Sequence, residues 1–359
     1  MESKRTVVVS EAALKTFCRA VLASVGVPEG DAQLIVDNLV AADLRGVESH
    51  GVVRLPIYVQ RLEDGGTNPH PRPQLVRETR TTAVLDGDNG MGQLVGERAM
   101  EIAIDKARDG DCAFVAVRNS NHFGAAAYYA EMATPHDMIG LSFTIGGINH
   151  MTPWGGAEAM LGNNPFAIAF PTGGEFPIVL DMACSVAARG KIIVAAKDGT
   201  PIPSEWASGP DGAPTTDPME ALEGFVLPVG GPKGYALTLT VGLLSTMLSG
   251  AYFGSEVTHM YDQTQTPQNI GHLVGVLPIS AFEDVGHYRE RMAKAMADIR
   301  NVKKAPGVER VYLPGEREHL ALVERRHTGI PLNAAVFSEL HELGARYGIR
   351  LDEYAPATA

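Results

Sequence analysis

"TTAVLDGDNGMGQLVGERAMEIAIDKARDGDCAFVAVRN", residues 81–119, decides the fold class. Residues 81–88 read as a strand. Residues 93–110 read as a helix closed by Gly110, because glycine takes the left-handed turn that ends helices. Residues 112–119 read as a second strand. The alternation continues with a helix over 124–133 (GAAAYYAEMA) and a strand over 138–145 (MIGLSFTI). A β–α–β–α–β order predicts an α/β layer.

Toward the N-terminus the pattern turns helical. Ser10 is a candidate N-cap for a helix over 10–26, with Leu14, Phe17, Cys18, Val21, Leu22 and Val25 at helical spacing. A second helix is expected over 31–44, with Ile35, Val36, Leu39 and Val40 on one face. A third is expected across VESHGVVRLPIY (47–58). Toward the C-terminus, residues 146–233 are rich in Gly and Pro, interrupted by the apolar runs FAIAF (166–170) and PIVLDMA (177–183). Buried strands between such loops predict a loop-built site rather than a linker. Residues 235–254 carry no charge and approach bilayer-spanning length. Their glycines, serines and threonines, without a flanking basic cluster, favour a core helix buried on all sides. A strand over 272–279, a charged helix over 282–301 and a last helix over 333–347 complete the chain.

Composition narrows the function. The 359 residues are 45% hydrophobic and 20% charged, with a formal net charge of −12. Such an acidic surface repels phosphate backbones and anionic lipid, so neither nucleic acid nor membrane is an expected partner. Cys18, Cys112 and Cys184 are isolated and lack metal-ligand spacing. With no apolar leader after the first residues, they suggest free thiols in the cytoplasm.

Several short motifs carry possible chemistry. His50, Arg54 and Tyr58 are spaced four apart, which on a helix makes one polar ridge beside Ser49. Arg54 suits a carboxylate and His50 a proton transfer, although Pro56 predicts a kink or a late helix start. His122 falls between a strand end and a helix start, where the helix terminus favours a neutral imidazole. Asp181 ends an apolar strand. Lys233 follows two glycines and precedes the apolar helix. Gly90, Gly92 and Gly96 form a G-x-G-x-x-x-G turn, one residue longer than a dinucleotide fingerprint and without the acidic residue expected after the next strand.

Taken together, SHGVVRLPIY (49–58), RNSNHFGAAAYYAEMA (118–133), PWGG (153–156), LGNNPFAIAFP (161–171), LDMACS (180–185), GGPKGYALTL (230–239) and LPGE (313–316) resemble the malate/L-lactate dehydrogenase family. The resemblance implies a non-Rossmann mixed-sheet α/β fold. It implies an N-terminal helical segment and α/β domain over 1–135, a cofactor lobe over 136–280, and a C-terminal segment over 281–359 that returns to the first domain. It implies a homodimer that moves hydride between NAD, or NADP, and a small 2-oxo or 2-hydroxy acid, with reduction of a cyclic imino acid as the alternative. Ser49, Arg54 and Tyr58 would then bind substrate, and His50, His122 and Asp181 would act in catalysis. Asp181, Met182, Ala183, Pro232, Lys233, Pro314, Gly315 and Glu316 would contact the cofactor, and the Gly90 turn would be structural. Ile145-Gly146-Gly147 and Asn163 depart from the usual family residues.

Overall fold

A computed structural model describes residues 6–351. The chain opens with β1 (Thr6–Val9), α1 (Glu11–Ser24) and α2 (Glu29–Leu44). Ser10 Oγ accepts the Ala13 N–H at 3.2 Å, and Leu14, Phe17, Cys18, Val21 and Leu22 are buried, as their spacing predicts. The single helix expected across 47–58 is broken. Two 3-10 turns, Glu48–His50 and Val52–Arg54, precede α3 (Leu55–Glu63). Gly51 explains the break. A Cβ there would lie 2.0 Å from Asp43 Oδ1, and the Asp43 carboxylate accepts the Val52 N–H at 2.8 Å. Pro56 then falls in the first turn of α3, where its missing N–H costs nothing.

β2 (Gln74–Glu78), β3 (Thr82–Asp86), α4 (Gly92–Lys106), β4 (Ala113–Ser120), α5 (Ala126–Met132) and β5 (Met138–Thr144) follow. Next come β6 (Phe166–Phe170), β7 (Ile178–Met182), α6 (Arg189–Asp198), β8 (Ala207–Ser208), α7 (Pro218–Glu223), β9 (Phe225–Val226), α8 (Pro232–Thr246) and β10 (Ile270–Pro278). The described chain closes with α9 (Val285–Arg300), α10 (Glu316–Thr328), β11 (Ile330–Asn333) and α11 (Ala334–Ala345). The expected β–α–β–α–β run is present, with ends shifted by a few residues.

Seven strands form one sheet in the order β2-β3-β4-β10-β5-β6-β7. Only β3 and β4 run parallel; the other neighbours are antiparallel. β10 inserts between β4 and β5, so that Val274 pairs with Val115 on one side and Ser142 on the other. Its residues are buried except Leu277. The sheet therefore joins strands from the 1–135 and 136–280 segments, while β11 returns to pair with β1. Phe17, Leu39, Val59 and Leu340 share the core under the N-terminal helices.

α4 and α5 pack on one face of the sheet, where Val95, Ala99 and Ala130 meet Val115, Val117 and Val274. α8 lies on the other, where Val241 meets Phe166 and Phe143. α8 corrects the expectation of a helix buried all round. Its buried side is made of Gly234, Thr238, Val241, Gly242, Ser245 and Thr246. Small residues let it approach the loop of Asn164 closely, and the larger Leu243, with Met247 and Leu248 in the turn that follows the helix, faces outward, 40–59% exposed. Among the described residues no helix is long and apolar enough to cross a membrane.

Candidate active site

Breaking the 47–58 segment into two turns does not scatter its functional residues. Ser49, His50 and Arg54 line one cavity of about 630 Å³ together with His122. That volume is typical of a small-molecule site. His122 arrives from the turn between β4 and α5 and stacks on His50, with ring centroids 5.6 Å apart and planes 18° apart. Tyr58, buried on α3, puts its hydroxyl 2.7 Å from His122 Nδ1. The Gly124 N–H also points at Nδ1, at 3.4 Å. A backbone N–H can only donate, so Nδ1 is the acceptor, the Tyr58 hydroxyl donates, and Nε2 carries the His122 proton.

Arg54 is fixed by its neighbours. Its Nε donates to the Ser49 carbonyl at 2.7 Å, and Nη1 donates to the Tyr261 hydroxyl. A guanidinium has five N–H donors, so others remain for a ligand. Ser49 Oγ sits 2.9 Å from His50 Nδ1. Burial and then Arg54 push the His50 pKa down to about 4. Burial, followed by His50 and Arg54, holds His122 well below the ordinary histidine range. Both rings are therefore neutral near pH 7. Burial raises the Tyr58 hydroxyl to about 12.

A smaller cavity of about 240 Å³ continues the cleft and also touches Ser49, His50, Gly124, Asn163 and Pro165. It brings together Asp181, Met182, Ala183 and Gly315, with Glu318 from the first turn of α10. The Asp181 carboxylate accepts the Ala127 N–H at the start of α5, and burial raises its pKa to about 6. His50 is oriented by Ser49, and no hydrogen bond is described between His50 and Asp181. The Pro314 carbonyl accepts the Val179 N–H at 3.1 Å, which lays the 314–316 turn along β7.

Three sequence candidates sit elsewhere. Glu316 is 1% exposed. Its carboxylate is taken by Arg300 at 3.0 Å, by Arg310 and by the Leu313 N–H at 2.9 Å. Pro232 and Lys233 are exposed in the first turn of α8. The preceding Gly230 and Gly231 instead line a separate cavity of about 770 Å³ with Trp154 and Val186. The Gly90 turn is structural. A Cβ on Gly92 would lie 2.2 Å from the Asn121 carbonyl, and one on Gly96 would lie 2.7 Å from the Tyr129 ring.

The Gly/Pro-rich stretch over 146–233, with its interleaved strands, supplies part of the lining of both cavities. Ile145, Gly146, Gly147, His150 and Arg189 line the larger cavity, and so does Tyr261. Arg189, His150 and Tyr261 escape sequence reading because a lone cation or phenol in an aperiodic loop gives no signal.

Two neutral histidines and an arginine line one cavity, which shares its lining with the strand-end cleft of Asp181. The malate/L-lactate dehydrogenase family profile matches residues 9–341, and the chain belongs to that family. It is 42% identical over 345 residues to a malate dehydrogenase of Pyrococcus abyssi, covering 94% of each chain. It is 40% identical to an L-sulfolactate dehydrogenase of Methanocaldococcus jannaschii, covering 93% of this chain and 95% of that one. The solved structure of the sulfolactate dehydrogenase from that organism superposes with a TM-score of 0.90 at 39% identity, over 97% and 99% of the two chains. A Delta(1)-pyrroline-2-carboxylate reductase of Ancylobacter novellus is less close, at 35% identity over 94% and 97%.

Proposed function

We propose that this chain interconverts a small 2-oxo acid and the matching 2-hydroxy acid, with Arg54 holding the carboxylate and His50 carrying the proton. The convergence of Arg54, His50 and His122 on one cavity carries this reading. A nicotinamide dinucleotide supplies the hydride when bound. Arg54 grips the carboxylate through its remaining donors. His122, fixed as an Nε2–H donor by Tyr58, polarises the carbonyl oxygen as a neutral imidazole. His50 can keep its Nδ1 proton toward Ser49 and leave Nε2 free to take the hydroxyl proton in oxidation. In reduction the arriving carboxylate offsets Arg54, favouring the protonated His50 that donates to the forming alkoxide.

The small cavity suits the dinucleotide's other end. Asp181 and Glu318 offer carboxylates to ribose hydroxyls and would repel a 2′-phosphate, which favours NAD over NADP. We also propose a cytoplasmic homodimer in which 1–135 with 281–359 faces 136–280 across the cleft. The exposed Leu243, Met247 and Leu248 at the end of α8 support the dimer.

The test crosses NADH and NADPH with pyruvate, oxaloacetate, sulfopyruvate, 2-oxoglutarate and piperideine-2-carboxylate, following dinucleotide absorbance. Turnover of a 2-oxo acid with NADH is expected. Turnover of the imine alone would replace the hydroxy-acid reading. His50→Gln should abolish turnover, whereas His122→Gln should leave a measurable residue; the reverse order would exchange their roles.

A further inference from the structure

The glycine-rich turn over 86–96 leads into one side chain that the reaction above leaves unused. Gly92 opens α4 against the His122 turn, where a Cβ would lie 2.2 Å from the Asn121 carbonyl and 2.5 Å from the His122 carbonyl. That close approach brings the next residue, Gln93, up to the site from the core side. Its neighbours Met91 and Leu94 share an apolar cluster with Leu55 and Tyr58, so the first turn of α4 packs on α3. Gln93 is 1% exposed, and neither its Nε2 nor its Oε1 has a hydrogen-bond partner. A buried carboxamide in that state is costly, and an apolar side chain of the same shape would avoid the cost.

Tyr58 is the complementary group. Its hydroxyl has one proton and two lone pairs. The proton goes to His122 Nδ1 at 2.7 Å, because the Gly124 N–H at 3.4 Å marks Nδ1 as an acceptor. The phenolic oxygen keeps its lone pairs for a donor. Burial raises the Tyr58 hydroxyl to about 12, and Arg54 and then the nearby Gln93 amide act against that rise. A neutral neighbour that lowers a phenol's pKa does so by donating to its oxygen. A carboxamide can turn either its carbonyl or its N–H to a neighbour. With the phenolic proton spent on His122, only the N–H fits.

We infer that Gln93 is a positioning residue whose Nε2–H donates to the Tyr58 oxygen and so holds the phenolic proton on His122 Nδ1. This rests on the reading in which His122 offers its Nε2–H to the substrate oxygen. A hydroxyl that accepts a hydrogen bond is a stronger donor, and one held at its oxygen does not turn away from the imidazole. The order is Gln93 Nε2–H to Tyr58, Tyr58 O–H to His122 Nδ1, and His122 Nε2–H to the substrate. Gln93 touches neither Arg54 nor the acid, so its effect falls on turnover and not on substrate binding.

The test is Gln93→Met in the full-length protein, alone and combined with Tyr58→Phe, assayed with NADH and the 2-oxo acid that the wild type reduces. Methionine keeps the length of the side chain and removes the buried amide, so a role in packing alone predicts a folded and unimpaired enzyme. Gln93→Leu serves should methionine disturb the fold. Positioning predicts a kcat lower by roughly fivefold, with KM for the acid within about twofold. In the Tyr58→Phe background the same change should lower kcat by less than about twofold, because the oxygen through which Gln93 acts is gone. An equal factor in both backgrounds, no loss in either, or a change confined to KM would overturn the inference. Full kcat in Tyr58→Phe would overturn it as well, while a wild type that reduces a 2-oxo acid keeps the hydroxy-acid reading. Where no acid is reduced that reading falls, and nitrogen NMR of histidine-labelled protein decides on Gln93 separately. The His122 Nδ1 signal, identified by its loss in His122→Gln, should move downfield in Gln93→Met as its hydrogen bond weakens; an unmoved signal overturns the inference.

Discussion

Replacing Arg54 by Gln perturbs two things that can be measured separately. The guanidinium lies against the Ser49 carbonyl at 2.7 Å and the Tyr261 hydroxyl, inside the cavity of both histidines. On the proposed reading, losing it removes the charged partner of the substrate carboxylate. A charge-assisted pair in a largely desolvated site is worth about 3 kcal/mol, or roughly 10²-fold in kcat/KM. The second effect acts on His50, the proposed proton carrier. Burial first and Arg54 second hold His50 down at about 4. Only the second cause disappears, so the His50 pKa should rise yet stay below the ordinary 6.5. The assay is kcat/KM for the 2-hydroxy acid as a function of pH, which reports groups of the free enzyme. Oxidation needs neutral His50, so activity falls on the acid side of its pKa. The wild type should show that limb near pH 4, and Arg54→Gln should show a lower plateau with the limb moved upward. Comparing the two on one substrate cancels the substrate's own titration. A plateau loss below about threefold would refute the carboxylate grip. A lower plateau with an unmoved limb would refute the coupling of Arg54 to the proton carrier.

Tyr58→Phe deletes the 2.7 Å bond that fixes the His122 tautomer; losing one such bond, about 1 kcal/mol, should lower kcat by roughly fivefold with KM little changed. An unchanged kcat would free His122 from Tyr58. His272 is fully buried between the Thr144 and Ser120 hydroxyls, at 2.7 and 2.8 Å, and burial lowers its pKa to about 3. The unfolded chain binds a proton there below about pH 6.5 and the folded one does not, so this histidine makes stability fall as pH drops from 6.5 toward 3. In His272→Gln the slope of unfolding free energy against pH, measured by urea unfolding between pH 4.5 and 6, should decrease by about one proton per molecule; an equal slope would mean that His272 is protonated in the fold. Arg61 is 2% exposed and donates to the carbonyls of Thr266, Gln263 and Gly66 at 2.8, 3.1 and 3.2 Å. Arg61→Leu leaves the Thr266 carbonyl without a described donor, while those of Gln263 and Gly66 keep the Thr266 N–H and Asn89 Nδ2, and should cost about 2 kcal/mol in urea unfolding. It should also raise substrate KM, because the same loop carries Tyr261; an unaltered KM would detach that loop from the site.

What the sequence made legible follows from the range of the forces involved. Local periodicity and caps gave α1, α2 and the β3–α4–β4–α5–β5 run, because helices and short strands are patterned over a few residues. The position of β10 was not legible, since pairing between Val274, Val115 and Ser142 joins residues far apart in the chain. β2 is exposed along its whole length and has no apolar alternation to read. α10, with charges on nearly every side, gave no stripe. At the site, His50, Arg54 and Tyr58 were found through an expected continuous helix, yet they meet because Gly51 turns the chain against Asp43. Glu316 shows the opposite outcome. Its motif resembles a cofactor contact, and its carboxylate is consumed by two arginines and a backbone N–H. Nothing in the letters around it separates a buried ion-pair acid from a ligand-facing one.

The late arrival of β10 sets a timetable for synthesis. When β4 and β5 have left the ribosome, residues 145–269 must still be made before the strand that lies between them appears. At about 5–20 residues per second that interval lasts on the order of ten seconds. During it two apolar strands present open edges toward each other across a missing partner, an arrangement prone to pairing with other chains. A nascent chain stalled before residue 270 cannot complete its central sheet, and a chaperone that shields Ala113–Ser120 and Met138–Thr144 would act in that window.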